Sequence, residues 1–299
     1  MRLTIPPLEI EENEGFSEKK DIFQRKSFGE ALTKLVLSVE DEMVICLDAQ
    51  WGEGKTTFVK MWRGLLTQNQ IKSIYFDSFK NDFMGEPFTA LTAEIYNLAL
   101  DVSAPEEKVE EYKKKAIQIG KVLLKSSVKI GIKTLTLGAL DGTEFNNLEV
   151  DKDIAEEASK ATEQYISSVL DSYKKDKNNV VSFQNTLAAL TKTLSQDGKP
   201  LVFIVDELDR CRPTFALELL EKIKHIFSVP KIVFILVMNR TQMEESVKSQ
   251  YGMGIDATEY LQKFINIWCT LPKNESADTN DVKTYIRSVV SQRCFLNVL

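Results

Sequence analysis

Ala49-Gln50-Trp51-Gly52-Glu53-Gly54-Lys55-Thr56 lies between an apolar run, Met43 to Asp48, and a helical pattern, Thr56 to Thr67. A glycine-rich turn that leaves a strand and opens a helix is the setting a phosphate-binding loop requires. Gly52 and Gly54 let backbone N–H groups face phosphate oxygens with no Cβ in the way. Lys55 supplies a point charge for the β- and γ-phosphates, and the Thr56 hydroxyl is a ligand for Mg²⁺. Trp51, Gly52, Glu53, Gly54, Lys55, Thr56 and Thr57 therefore form the expected nucleotide-binding run. Ala49 stands where such loops usually have their first glycine, one match fewer in a residue still small enough for the turn.

A second motif supports this reading. Leu201-Val202-Phe203-Ile204-Val205-Asp206-Glu207 is an apolar strand that delivers two acids to the C-terminal edge of a sheet, where open α/β sheets bind ligands. Asp206 is the expected second Mg²⁺ residue. Glu207 is placed to polarise the attacking water as general base. A fourth strand ends Val237-Met238-Asn239-Arg240, so Asn239 is either a sensor of the terminal phosphate or the cap of the next helix. ATP is favoured over GTP: Asn239-Arg240-Thr241-Gln242 lacks the acid that reads guanine, and Asp209 occupies the position where GTPases use glycine.

Five short apolar runs read as strands: Met43 to Asp48, Ser73 to Asp77, Leu201 to Asp206, Ile232 to Met238 and Ile265 to Leu271. Their near-continuous hydrophobicity suits a parallel sheet covered on both faces. Helical patterns intervene at Pro87 to Leu100, Pro213 to Phe227 and Thr241 to Ser249, and another, Ser27 to Val39, precedes the first strand. The fold class is thus a doubly wound parallel α/β sheet. Residues 16–100 and 201–273 form its core, 101–200 a mostly helical insertion too long to be a loop, 1–15 a flexible leader, and 274–299 a C-terminal helical segment. The polar run Lys174 to Asn179 is expected to be a turn.

Composition narrows the function. The chain has 299 residues, 43% of them apolar, and a net charge of −6, so direct nucleic-acid binding is not expected. Cys46, Cys211, Cys269 and Cys294 show no zinc or disulfide spacing. His225 is the single histidine, which excludes a multi-histidine metal site. Nothing near Met1 resembles a secretion signal, and a cytoplasmic protein is expected.

Four stretches resemble the KAP family of P-loop NTPases. They are Trp51 to Thr56; Tyr75-Phe76-Asp77-Ser78-Phe79; Asp206-Glu207-Leu208-Asp209-Arg210-Cys211 running into a Pro-led helix; and Glu259-Tyr260-Leu261-Gln262-Lys263-Phe264 before a strand ending Leu271-Pro272. The resemblance implies a five-stranded sheet in the order 5-1-4-3-2, ATP and Mg²⁺ as ligands, and a regulatory or effector role, with phage exclusion among the family's known outputs. Phe79 replaces a tryptophan usual in the family, and Glu207 replaces a frequent aspartate, which favours hydrolysis.

Family members often carry membrane spans in the insertion. Here 120–140 is interrupted by Lys121, Lys125, Lys129 and Lys133, too much charge for a span. Peripheral contact of this basic helix with an anionic membrane surface remains as one expectation, a solvated lysine face as the other. Arg210, Arg212 and Arg240 cluster near the two motifs. Arg210 or Arg240 is the expected arginine finger, acting in a homo-oligomer, with an ion pair from Arg210 to Asp209 or Glu207 as the alternative. The leading function is an ATP-hydrolysing switch that gates a protein partner or assembly. An ATP-binding scaffold with little turnover is the second reading and a small-molecule kinase the third.

Overall fold

The computed structural model describes residues 10–137, 152–195 and 198–272, apart from 12, 18, 19 and 22. The start of the leader and 274–299 lie outside the described residues.

β1 (Met43–Asp48), β2 (Ser73–Asp77), β3 (Leu201–Asp206), β4 (Ile232–Met238) and β5 (Ile267–Thr270) form one sheet in the order β2-β3-β4-β1-β5. Every neighbouring pair is parallel. This is the order 5-1-4-3-2 read from the other edge. β5 is shorter than its apolar run because Ile265 and Leu271 pack while flanking it, and Asn266 spends its side chain accepting from Val44 N at 2.8 Å.

The strand faces alternate between two cores. Val44, Cys46, Phe203, Val205, Phe234 and Leu236 face one; Ile45, Leu47, Val202, Ile204, Val233 and Ile235 face the other. Each face needs a helical layer, which is why the strands read as continuously apolar. The second face is covered by α1 (Lys26–Leu37) and α2 (Lys55–Gln68). Trp62 of α2 is fully buried there and donates to Gly29 O at 3.1 Å and Thr33 Oγ1 at 2.9 Å, which locks the two helices together.

After β2 come a short helix α3 (Ser78–Asn81) and α4 (Pro87–Asp101), which opens with proline at its first turn and the Glu86 carboxylate as cap. Two long helices follow, α5 (Glu106–Leu137) and α6 (Lys152–Leu194). Phe88 of α4, Tyr112 of α5, Phe183 of α6 and Phe227 interlock with ring centroids 5.6–5.8 Å apart, so these helices share one core with the sheet. After β3 the chain continues through α7 (Pro213–His225), α8 (Arg240–Tyr251) and α9 (Ala257–Gln262).

One sequence expectation needs correction. Lys174 to Asn179 is not a turn but part of α6. The run has no glycine or proline, its lysines favour helix, and it faces solvent on an arm already nucleated by the packed segment around Phe183. α5 runs unbroken through Gly120 and Gly131. Among the described residues no helix is long and apolar enough to cross a membrane. Lys125, Lys129 and Lys133, on which a membrane-surface contact would rest, lie outside the residues whose side chains are described.

Candidate nucleotide site

β1 lies between β4 and β5, so the loop that leaves its tip emerges at the sheet's C-terminal edge, one strand in from β5. Two positive φ angles make the turn: Gly52 at 84° and Gly54 at 80°. Gly54 is the left-handed N-cap of α2, a conformation in which a side chain is strained. The Glu53 carboxylate accepts from Gln50 N at 2.9 Å and closes the loop on itself. Lys55 is buried, its ammonium donating to Ala49 O at 2.7 Å and Gln50 O at 3.3 Å. The loop's own carbonyls thus hold the lysine inside the concavity.

The second motif rises beside it. Asp206, with no exposed surface, ends β3. Its carboxylate accepts from Tyr75 Oη and from Glu207 N, each at 2.8 Å. Burial pushes this carboxyl above its ordinary value, and the nearby Tyr75 and Thr56 hydroxyls oppose that. Ser78 Oγ donates to Asp206 O, which ties α3 to the tip of the same strand. Glu207 then turns the chain at φ 58°, a left-handed conformation uncommon for a non-glycine residue. Its carboxyl is also raised by burial, with the Arg210 guanidinium, 3.0 Å away, pulling it back. Asp209, in the 3₁₀ turn Leu208–Arg210, accepts from the Trp51 indole N–H at 2.6 Å, a bond that joins the two motifs across the site.

These elements enclose a cavity of about 190 Å³ lined by Gln50, Trp51, Gly52, Gly54, Lys55, Thr56, Glu207, Asp209 and Arg210. Asp206 lies beneath it through Thr56. Glu53 is occupied with the loop, and Thr57, half-buried, is not in the lining. Asn239 is used as a cap: its side chain accepts from Gln242 N at 3.4 Å at the start of α8. Arg210 forms the ion pair with Glu207 rather than with Asp209. Arg240 is committed to Glu244 at 2.8 Å and stacks 4.8 Å above the Trp268 ring. Arg212 is held by both carboxylate oxygens of Asp82.

Arg25 was not foreseen as part of this region. Just ahead of α1, it donates to Glu53 O and to Pro272 O, each at 2.8 Å, and stacks 4.5 Å from the Phe23 ring. It braces the loop from behind. These contacts span 28 and 247 residues, and no local spacing announces them.

A hydroxyl and a carboxylate near one another, Thr56 and Asp206, are hard oxygen donors of the kind Mg²⁺ takes when phosphates and water complete its shell. Among the described residues no cluster of three or more His, Cys, Asp or Glu offers an all-protein metal cage. The donor set fits a cation that arrives with a phosphate ligand.

Comparison with known proteins agrees with the geometry. The model of the KAP family P-loop domain matches residues 25–291. The uncharacterized protein MJ0182 of Methanocaldococcus jannaschii is 29% identical over 184 residues, 55% of this chain and 88% of that protein. Among solved structures, the Aeropyrum pernix ORC2 protein in its ADPNP-ADP complexes superposes with a TM-score of 0.38 and 15% identity. The match covers 91% of this chain and half the length of that one.

Proposed function

From the premise that this chain belongs to the KAP family of P-loop domains, and so to the nucleotide-binding NTPases, we propose that it hydrolyses ATP with Mg²⁺ as a switch. One observation carries the reading: Lys55, Thr56 and Glu207 converge on a single cavity with Asp206 directly beneath. In this reading backbone N–H groups of residues 52–57 cradle the phosphates and Lys55 exchanges its carbonyl partners for β- and γ-oxygens. Thr56 and Asp206 hold Mg²⁺, which supplies charge neutralisation on the phosphates. Glu207 accepts a proton from water as the water oxygen bonds to the γ-phosphorus. The bond from that phosphorus to the β–γ bridging oxygen breaks, and its electron pair leaves with ADP.

The switch would act on a protein partner or on further copies of the chain, with Arg210 as the arginine nearest the phosphates, and 101–200 as the inserted helical module that carries the signal. Phage defence follows only from likeness to the family, while a membrane-peripheral site of action rests on the lysine-rich stretch 120–140. The alternative is a scaffold that binds ATP and barely turns it over; the Glu207–Arg210 ion pair favours it, because a paired carboxylate is a weaker base.

The test is Mg²⁺-dependent phosphate release by wild type, Lys55→Ala and Glu207→Gln, with ATP affinity measured in parallel. Hydrolysis predicts that Lys55→Ala loses binding while Glu207→Gln binds and turns over ~10²-fold more slowly. Tight binding with no phosphate released by wild type selects the scaffold.

A further inference from the structure

The cavity that holds Lys55, Thr56 and Glu207 is too small to enclose a whole nucleotide. It measures about 190 Å³, against about 300–1,000 Å³ for pockets that surround a drug-sized ligand. It has room for phosphates, and the nucleoside must lie against the protein beside it. A base outside a pocket is held by stacking on an exposed aromatic ring.

Two exposed aromatic rings lie at this loop. Trp51, 54% exposed, belongs to the acid end of the cavity. Its indole N–H is bound to Asp209, beside Glu207 and Arg210, where the hydrolase reading puts the γ-phosphate. Phe23, 47% exposed, meets the loop at Gly54, the cap of α2. A Cβ built on Gly54 would fall 3.9 Å from the Phe23 ring.

A single surface aromatic needs no explanation. Phe23 differs in being held. The Arg25 guanidinium stacks 4.5 Å from the centre of its ring and is itself tied to Glu53 O and Pro272 O. The backbone is fixed as well: the Asp21 carboxylate accepts from Arg25 N at 2.8 Å and from Lys26 N at 3.0 Å. Gln24, between the two stacked residues, turns the chain at φ 52°. A pinned cation thus backs the ring, and the rest of the ring is left to solvent next to the phosphate loop.

We infer that Phe23 is the platform on which the base of the bound nucleotide stacks, with the Arg25 guanidinium as its backing. The inference rests on the nucleotide-binding reading of the cavity and not on hydrolysis. Stacking uses the π-face that every base has, so Phe23 supplies affinity for the nucleoside rather than a choice among bases.

The test titrates wild type, Phe23→Ala, Phe23→Leu and Phe23→Trp with ATP and with inorganic triphosphate, which carries phosphates and no base. Phe23→Ala should weaken ATP binding by ~10-fold or more, with triphosphate affinity within about twofold of wild type. Phe23→Leu keeps an apolar side chain without a ring and should resemble Phe23→Ala. Phe23→Trp should bind ATP as tightly as wild type or tighter. The melting temperature of the nucleotide-free protein should stay where it is, because the ring is exposed. Equal losses for ATP and triphosphate overturn the inference, since Phe23 would then act on the loop and not on the base. Full ATP affinity in Phe23→Ala or in Phe23→Leu overturns it too. A wild type that binds ATP without releasing phosphate removes the hydrolase reading alone, so the two failures are read separately.

Discussion

Glu207 and Arg210 face each other at 3.0 Å across one 3₁₀ turn, with the Glu207 backbone held at φ 58°. Burial raises the glutamate's carboxyl and the arginine counters it, so the proposed general base and the charge that opposes its shift belong to the same turn.

A pH profile follows from this pair. A general base works only when ionised, and a raised pKa means that ionisation is lost at a higher pH than for a free glutamate. Turnover should therefore fall on acidification from above the ordinary carboxylate range. Arg210→Ala removes the opposing charge and should move that acid limb to still higher pH. Steady-state kcat between pH 5 and 9 for both proteins reads this directly. An acid limb that does not move in Arg210→Ala means that Glu207 is not the titrating group.

Arg25 supports the loop from outside the cavity, and its removal should be felt within it. Arg25→Ala leaves Glu53 O and Pro272 O without this donor. A net loss of about 1.4 kcal/mol on the nucleotide-bound loop corresponds to a tenfold weaker Kd. Titration calorimetry with ATP should show that loss, with Arg25→Lys recovering part of it through one of the two bonds. Should only the melting temperature fall, Arg25 braces the fold and not the loop.

The strand–loop–helix of Met43 to Thr67 and the acid-tipped strand Leu201 to Asp206 were legible because their chemistry is local: apolar runs set the strands and adjacent glycines set the turn. The strand order came from the family resemblance, and no periodicity in this sequence encodes it. Arg25 and the Trp51–Asp209 bond were illegible for a common reason. Each depends on segments far apart in sequence meeting at one edge of the sheet, 28, 247 and 158 residues apart. Lys174 to Asn179 misled for the opposite reason: a polar stretch reads as a turn locally, while Phe183 and its neighbours anchor the helix that continues through it.

Glu94 offers a stability test remote from the nucleotide. It lies on α4, partly buried, and burial raises its carboxyl above the ordinary value. Between the unfolded and the raised folded pKa the folded protein binds more protons, so stability falls as pH rises through that window. Above the window the whole penalty is present. Glu94→Gln removes it. The variant should melt higher than wild type at pH 7, and the advantage should vanish below the unfolded glutamate pKa. An unchanged difference across pH would assign the effect to packing.

The same substitution at two helical glycines should have opposite signs. Gly64 lies in α2 against the backbone of Gly15; a Cβ there would fall 2.0 Å from Gly15 N and 2.5 Å from its Cα. Those atoms are main chain and cannot rotate away as a side-chain tip would. Gly120 lies in α5, and a Cβ there meets nothing within 4 Å. In a helix interior alanine is otherwise favoured over glycine by about 0.5–1 kcal/mol. Gly120→Ala should therefore raise the melting temperature. Gly64→Ala should lower stability by about 1–3 kcal/mol, the usual cost of overpacking a fitted contact. Limited proteolysis supplies the second readout, since displacing residues 13–17 from α2 exposes Lys20 to trypsin in the Gly64 variant alone. A Gly64→Ala protein as stable and as resistant as wild type would mean that the Gly15 segment does not hold its place on α2, and with it would go the idea that the chain ahead of α1 braces the nucleotide loop.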